Sequence, residues 1–146
     1  MATIRPLNAS DRSGWDGLWN GYLDFYETHL DPAVTDAAWR RLTAPTGDLR
    51  GLVAEADGQL IGFAHYLLHP STWALQNYCY LEDLFVSDSV RGKGVGRALI
   101  AAVEEAGRKA GSTRLYWVTN IDNAKARKLY DQMAAYDGFI QYRKQL

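Results

Sequence analysis

Two adjoining stretches organise this chain: Tyr80-Leu81-Glu82-Asp83-Leu84-Phe85-Val86, and after a short gap Arg91-Gly92-Lys93-Gly94-Val95-Gly96-Arg97. The first is aromatic and aliphatic and reads as the heart of a strand over Tyr78 to Val86. Turn formers fill Ser87 to Gly96. Beyond them Leu99, Val103, Ala106 and Ala110 share one helical face, and Gly111 is placed to end that helix. A glycine loop between strand and helix gathers unpaired N–H groups and the positive end of the helix dipole at one point, so an anion belongs there. Glycine at 92, 94 and 96 lets the backbone approach that anion without a Cβ in the way, while Arg91, Lys93 and Arg97 add charge. Phosphate oxygens are the natural guest. A Walker loop would need four residues between its first Gly and a Gly-Lys-Ser/Thr, and a dinucleotide fingerprint would need Gly where Arg97 or Leu99 stands; neither pattern is met.

Upstream, Asp57-Gly58 between Leu52–Ala56 and Leu60–Leu68 is a strong hairpin signal. Thr3 to Leu7 reads as an edge strand carrying Pro6, and Asn8 to Asp11 offers helix caps. Trp15, Leu18, Trp19, Tyr22, Phe25, Tyr26 and His29 then recur at helical spacing, with Pro32 expected to end the helix. A second short helix is expected over Asp36 to Leu42, before the breaker Pro45-Thr46-Gly47. Downstream, Glu104/Arg108 and Glu105/Lys109 sit four apart in the favourable acid-first order. Arg114 to Thr119 reads as a strand, Asn120 or Asp122 as the cap of a helix running to about Ala135, and Phe139 to Lys144 as a closing strand. The fold class implied is α/β or α+β, a mixed sheet with helices on both faces and a single domain over 1–146.

Length and composition exclude several alternatives. With 146 residues, 47% hydrophobic and 23% charged, the chain is of one-domain size and ordinary globular usage. Sixteen Lys and Arg against seventeen Asp and Glu leave a net charge of -1, which argues against nucleic acid as a partner. The single Cys79 allows no intramolecular disulfide, so a reducing compartment, the cytoplasm, is expected. Gly58 to Leu81 lacks charged residues, but His65, His69, Pro70 and Asn77 within it fit two strands and a loop better than a membrane span.

The pattern Arg91, Gly94, Gly96 after the strand Tyr80–Val86 resembles the acetyl-CoA loop of the GCN5-related N-acetyltransferases. Asn123-Ala124 and Leu129-Tyr130 are similar to that family's next helix. The order of elements from Thr3 almost to Leu146 resembles its mostly antiparallel fold. Ile61-Gly62-Phe63-Ala64 and Leu81-Glu82-Asp83 look most like diamine acetyltransferases and the yeast histone/polyamine group. The resemblance implies that backbone groups of Leu84, Phe85 and Val86 bond the pantetheine arm of acetyl-CoA. It further implies that Arg91 to Arg97 (Arg91, Gly92, Lys93, Gly94, Val95, Gly96, Arg97) take the pyrophosphate and that Asn123 touches the cofactor. One departure is that Gly138-Phe139 comes later after Tyr130 than the family's spacing, leaving one strand beyond it. A free strand edge there is expected to pair with a second subunit, giving a homodimer.

Amine acetylation needs a neutral nucleophile, yet an alkylamine of pKa about 10.4 is protonated near neutrality. By period-two alternation Glu82 should share its face with Tyr80, Leu84 and Val86, and burial there would raise its pKa toward that of a useful base. Asp83, expected on the opposite face, is the competing candidate; the resemblance favours Glu82, through a water. It also makes Tyr130 the proton donor to the leaving thiolate, although Ala126, Leu129, Tyr130 and Met133 form one stripe that core packing would equally explain. Tyr22, Tyr26 and Trp73, with Trp15 and Trp19, are candidates to receive a cation beside Asp83, Asp24 and Glu27, the helical ones serving packing just as well. Cys79 beside His65 or His69 has no oxyanion motif and reads as a small buried thiol. The two histidines lack a third ligand, so no metal is expected. The expected activity is direct acetyl transfer from acetyl-CoA to a small-molecule primary amine, such as a polyamine, amino acid or lysine-like acceptor. Two competing readings are a non-catalytic acyl-CoA-binding module of the same fold and an unrelated phosphate-binding protein.

Overall fold

The Asp57-Gly58 turn carries positive φ at both residues, 51° and 76°, the backbone twist that a two-residue hairpin requires. It joins β2 (Leu49–Ala56) to β3 (Gln59–His69) at the centre of a sheet. The computed structural model describes residues 2–146. Its sheet has five strands in chain order, with β1 (Thr3–Pro6) outside β2, then β3, β4 (Tyr78–Val86) and β5 (Leu115–Tyr116). All neighbours are antiparallel except β4 and β5, which run parallel. The expected mixed, mostly antiparallel sheet covered on both faces is the fold found.

Helices α1 (Arg12–Phe25) and α2 (Pro32–Thr43) cover one face, burying Trp15, Leu18, Trp19 and Leu42 against Val53 and Phe63. On the other face α3 (Val95–Lys109) buries Val95, Leu99, Ile100 and Val103 against Leu52, Ala54, Ala64, Tyr66, Cys79 and Leu81. Helix α4 (Ala124–Met133) joins that side through Leu129, Tyr130 and Met133. The start of α1 is tied to the sheet edge: Arg5 donates to both oxygens of the buried Asp11 at 2.9 Å, and Asp11 closes a capping box with Asn8. Gly111, at φ 84°, ends α3 as expected, and the pairs Glu104–Arg108 and Glu105–Lys109 form at 2.9 and 3.8 Å.

Four expectations are corrected. The first helix ends at Phe25 rather than Pro32, because Glu27 adopts φ 49° and Thr28 N–H turns back to Leu23 C=O at 2.9 Å, a left-handed helix stop made without glycine. Tyr26 therefore lies at the cap and His29 beyond the helix. Pro32 opens α2 instead, where its missing N–H costs nothing, with Asp31 accepting from Ala33 N–H at 2.8 Å. The strand expected over Arg114 to Thr119 contracts to Leu115–Tyr116, and the last helix stops at Met133. Phe139 to Lys144 forms no strand: Phe139 is 80% exposed and no neighbour pairs with it among the described residues, where β5 ends the sheet. No helix among the described residues is long and apolar enough to cross a membrane.

Candidate active site

Strand β4 changes phase in its middle. Leu81 pairs with Tyr66 on β3, but Asp83 pairs with His65, so Glu82 is an extra residue inserted into the ladder. Before the insertion Cys79 and Leu81 face α3; after it Leu84 and Val86 do. Phe85 packs on the α1 side, where Asp83 bonds Tyr22. Glu82 therefore does not share a face with Leu84 and Val86, and Asp83 is not on the opposite side. The bulge brings both carboxylates to the α1 face, adjacent to each other.

Glu82 is exposed, yet the walls around it raise its carboxyl above the ordinary range by burial first and by the charge of Asp83 second. It makes no side-chain hydrogen bond among the described residues. Tyr22 donates to Asp83 Oδ1 at 2.6 Å, and burial, then Asp83, pushes that phenol up. Tyr26 packs on Tyr22 with ring centroids 4.9 Å apart and planes tilted by 59°. Across from them Tyr80 packs on Tyr116 at 4.8 Å, and Tyr116 donates to His69 Nε2 at 2.7 Å. Two acids between two tyrosine walls can receive a cation. Trp73, 82% exposed in the β3–β4 loop, contacts no other aromatic ring among the described residues and stands apart from this group.

Beyond Tyr80 the parallel partner is gone, since β5 pairs only with Cys79 and Tyr80, and β4 and β5 splay into a wedge. Ser87 N–H bonds Ile61 C=O on β3 at 2.8 Å, so by alternation the peptide groups of Phe85 also turn to β3 while those of Leu84 and Val86 face the wedge. Of the three residues expected to offer backbone groups, Phe85 therefore offers none. Its ring instead packs on Tyr22 and Phe63.

At the wide end of the wedge the glycine loop adopts φ 82° at Gly92 and 81° at Gly94, and a Cβ at either would meet nothing within 4 Å. The first α3 bond runs from Ala98 N–H to Gly94 C=O at 3.0 Å, leaving the N–H groups of Val95, Gly96 and Arg97 without helical partners. This open cradle of amides fits a diphosphate. The Val95 side chain is buried, so only its amide takes part. Arg91 is committed elsewhere: its Nε donates to Val86 C=O at 3.1 Å, it pairs with Asp88 at 2.8 Å, and it covers the Phe25 and Phe85 rings. It braces the loop, and the charge available to an anion is that of Lys93 and of Arg97, which bonds Gln132 on α4.

Asn123 caps α4, its Oδ1 accepting from Ala126 N–H at 3.4 Å and its Nδ2 donating to Thr119. Tyr130 lies edge-on to Trp117 at 5.4 Å, half-buried against the α3-side core. Burial, with Tyr26 secondary, raises its pKa, so its hydroxyl holds a proton near neutrality. Cys79 is fully buried and pushed up to about 11, the state of an inert core thiol. The sequence reading passed over Tyr80 and Tyr116, and it weighed His65 only for roles it does not fill.

Comparison with known proteins places this geometry. The profile of the acetyltransferase (GNAT) family matches residues 15–135. The chain is 34% identical over 143 residues to the D-amino-acid N-acetyltransferase HPA3 of Saccharomyces cerevisiae, covering 97% of this chain and 89% of that protein. It is 30% identical over 141 residues to the uncharacterized N-acetyltransferase YhfO of Bacillus subtilis, covering 95% and 94%. The structure of AAC(6')-Iy in complex with the bisubstrate analog CoA-S-monomethyl-acetylneamine superposes with a TM-score of 0.81 at 28% identity, over 100% of this chain and 99% of that one.

Proposed function

The chain belongs to the acetyltransferase (GNAT) family, and from that premise we propose that it transfers acetyl directly from acetyl-CoA to a cationic primary amine within a ternary complex. The carrying observation is the β4 bulge, which sets Glu82 and Asp83 side by side at the mouth of the wedge lined by Leu84 and Val86. Relatives named for D-amino-acid and aminoglycoside acetylation support an amine acceptor.

Each part of the site has one task. Bound acetyl-CoA supplies the activated thioester carbon. The amides at the start of α3, with Lys93 and Arg97, hold its diphosphate, and the wedge-facing peptides of Leu84 and Val86 hold its pantetheine arm, one N–H of that row also meeting charge that develops on the acyl oxygen. Asn123 sets the start of α4 beside that arm. Asp83, with Tyr22 and Tyr26, receives the ammonium. Glu82, whose carboxyl is raised toward neutrality and whose oxygens are free of protein donors, takes the proton that the amine must lose before it attacks, directly or through a water. Tyr130, which keeps its proton, gives it to the departing sulfur. Cys79, the chain's single thiol, is buried and unfit to carry the acetyl group covalently.

A thioester-cleavage assay with acetyl-CoA and a panel of 1,4-diaminobutane, lysine, D-amino acids and neamine tests this. Amine-dependent release of CoA with a matching acetylated amine is expected. CoA binding with no transfer to any amine would leave only an acyl-CoA-binding module.

A further inference from the structure

Two buried polar side chains beneath the cleft, Trp15 and His65, take no part in the chemistry above. His65 is 3% exposed and Trp15 is fully buried. Trp15 Nε1–H donates to His65 Nε2 at 3.0 Å. That bond makes Nε2 the acceptor, so the ring hydrogen lies on Nδ1 and is donated to Asp83 Oδ2 at 2.9 Å. The other oxygen of Asp83 is held by Tyr22. The imidazole is clamped flat against Phe63, centroids 4.4 Å apart and 16° from parallel, with Trp19 at 5.6 Å on its flank. His65 is also the register partner of Asp83, at the first pair past the inserted Glu82.

We propose that His65 is a positioning residue for the acceptor amine, acting through Asp83; this rests on the acetyl-transfer reading. A carboxylate held by one donor from β3 and another from α1 cannot rotate, and each of its oxygens keeps a lone pair for an incoming ammonium. Trp15 sets the tautomer: without its N–H, the ring is free to turn an unprotonated Nδ1 toward Asp83, lone pair against lone pair. The chain thus divides two neighbouring acids by role. Asp83 is immobilised as the counter-ion, and Glu82, which no protein donor touches, is left to accept the proton. An apolar side chain would fill the space against Phe63 as well; what histidine adds there is a donor aimed at Asp83.

Steady-state kinetics on the full chain, with acetyl-CoA and the panel amine that wild type turns over fastest, tests the assignment, with thermal unfolding run alongside. His65→Leu should raise the amine KM about tenfold to hundredfold, the worth of a hydrogen bond to a charged group, and leave the acetyl-CoA KM within about twofold. His65→Asn, whose amide N–H stands near the lost Nδ1–H, should recover most of that loss. Tyr22→Phe, which removes the donor to the other oxygen, should show the same selective rise even if His65→Leu does not fold. An amine KM unchanged in these variants, both KM values rising together, or Asn no better than Leu at equal Tm would overturn the proposal. Wild type transferring to no amine would sink the acetyl-transfer reading and this inference with it; an active wild type with an indifferent His65→Leu sinks the inference alone.

Discussion

The two halves of the site are made of different material. The half under α1 is a lattice of side chains, with Trp15, His65, Asp83 and Tyr22 joined by three hydrogen bonds of 2.6 to 3.0 Å. The half at the start of α3 is backbone: two glycines at positive φ, three amides without helical partners, and open space where Cβ atoms would stand. The first half is rigid because every side-chain donor in it is spoken for and each Asp83 oxygen already accepts one hydrogen bond. The second is receptive because its donors are not. A site that must grip a constant diphosphate can rely on amides, which every sequence possesses, whereas recognition of one amine needs chosen side chains. Substitutions should therefore harm the backbone half by adding atoms and the side-chain half by removing them.

The largest effect is expected from adding. Gly94→Glu puts a Cβ at φ 81° and a negative charge in the anion cradle; since like charges brought together cost several kcal/mol, CoA affinity measured by calorimetry should fall by about a hundredfold or more. Nothing lies within 4 Å of the new Cβ, so the domain should still fold with a cooperative melt. Normal CoA affinity in that variant would remove the diphosphate from this loop. Next comes removal on the other side: Glu82→Gln should lower kcat by about 10²–10⁴-fold near neutral pH. The deficit should shrink as pH approaches the amine's own value of about 10.4, where the acceptor sheds its proton unaided. A deficit that does not change with pH would deny Glu82 the role of base.

This contrast also explains what could be read in advance. The glycine loop was legible because its conformation is written in residue types: glycine permits the positive φ, and the amphipathic run after it announces the helix. The Asp57-Gly58 hairpin was legible for the same reason. The bulge was not, because Tyr78 to Val86 carries apolar residues in both phases, and the insertion at Glu82 is set by pairing with β3 rather than by anything in β4 alone. Glu82 and Asp83 were singled out but set on opposite faces, whereas the insertion brings both to the α1 side. Arg91 was legible as a charge near the loop, but its return to Val86 and Asp88 depends on β4 ending where it does. The stop of α1 at Glu27 escaped notice because a left-handed turn without glycine leaves no mark, and Pro32 drew the boundary to itself. The closing strand was inferred from composition alone, and composition cannot supply a partner edge.

A smaller loss is expected where the halves meet. Tyr130→Phe keeps the edge-on packing against Trp117 and deletes only the hydroxyl, so kcat should fall about tenfold, water replacing part of the proton donation, with CoA affinity within about twofold by calorimetry. An unchanged kcat would return Tyr130 to the core stripe it shares with Leu129 and Met133.

The smallest effect is one of stability, and its sign separates a free base from a paired acid. Burial and Asp83 raise the Glu82 carboxyl, so the folded protein holds that proton more tightly than the unfolded chain does. Below the ordinary glutamate value of about 4.3 both states are protonated and nothing differs. As pH rises through the folded-state value, ionisation disfavours the folded state by the full difference, and above it that loss is constant. Glutamine never ionises. Glu82→Gln should therefore raise Tm at pH 7, by about a degree given how exposed the side chain is, and the gain should vanish near pH 3. A lower Tm at pH 7 would mean that Glu82 is held in a stabilising pair; it could not then stand free beside the immobilised Asp83, and the division of labour between the two carboxylates would fail.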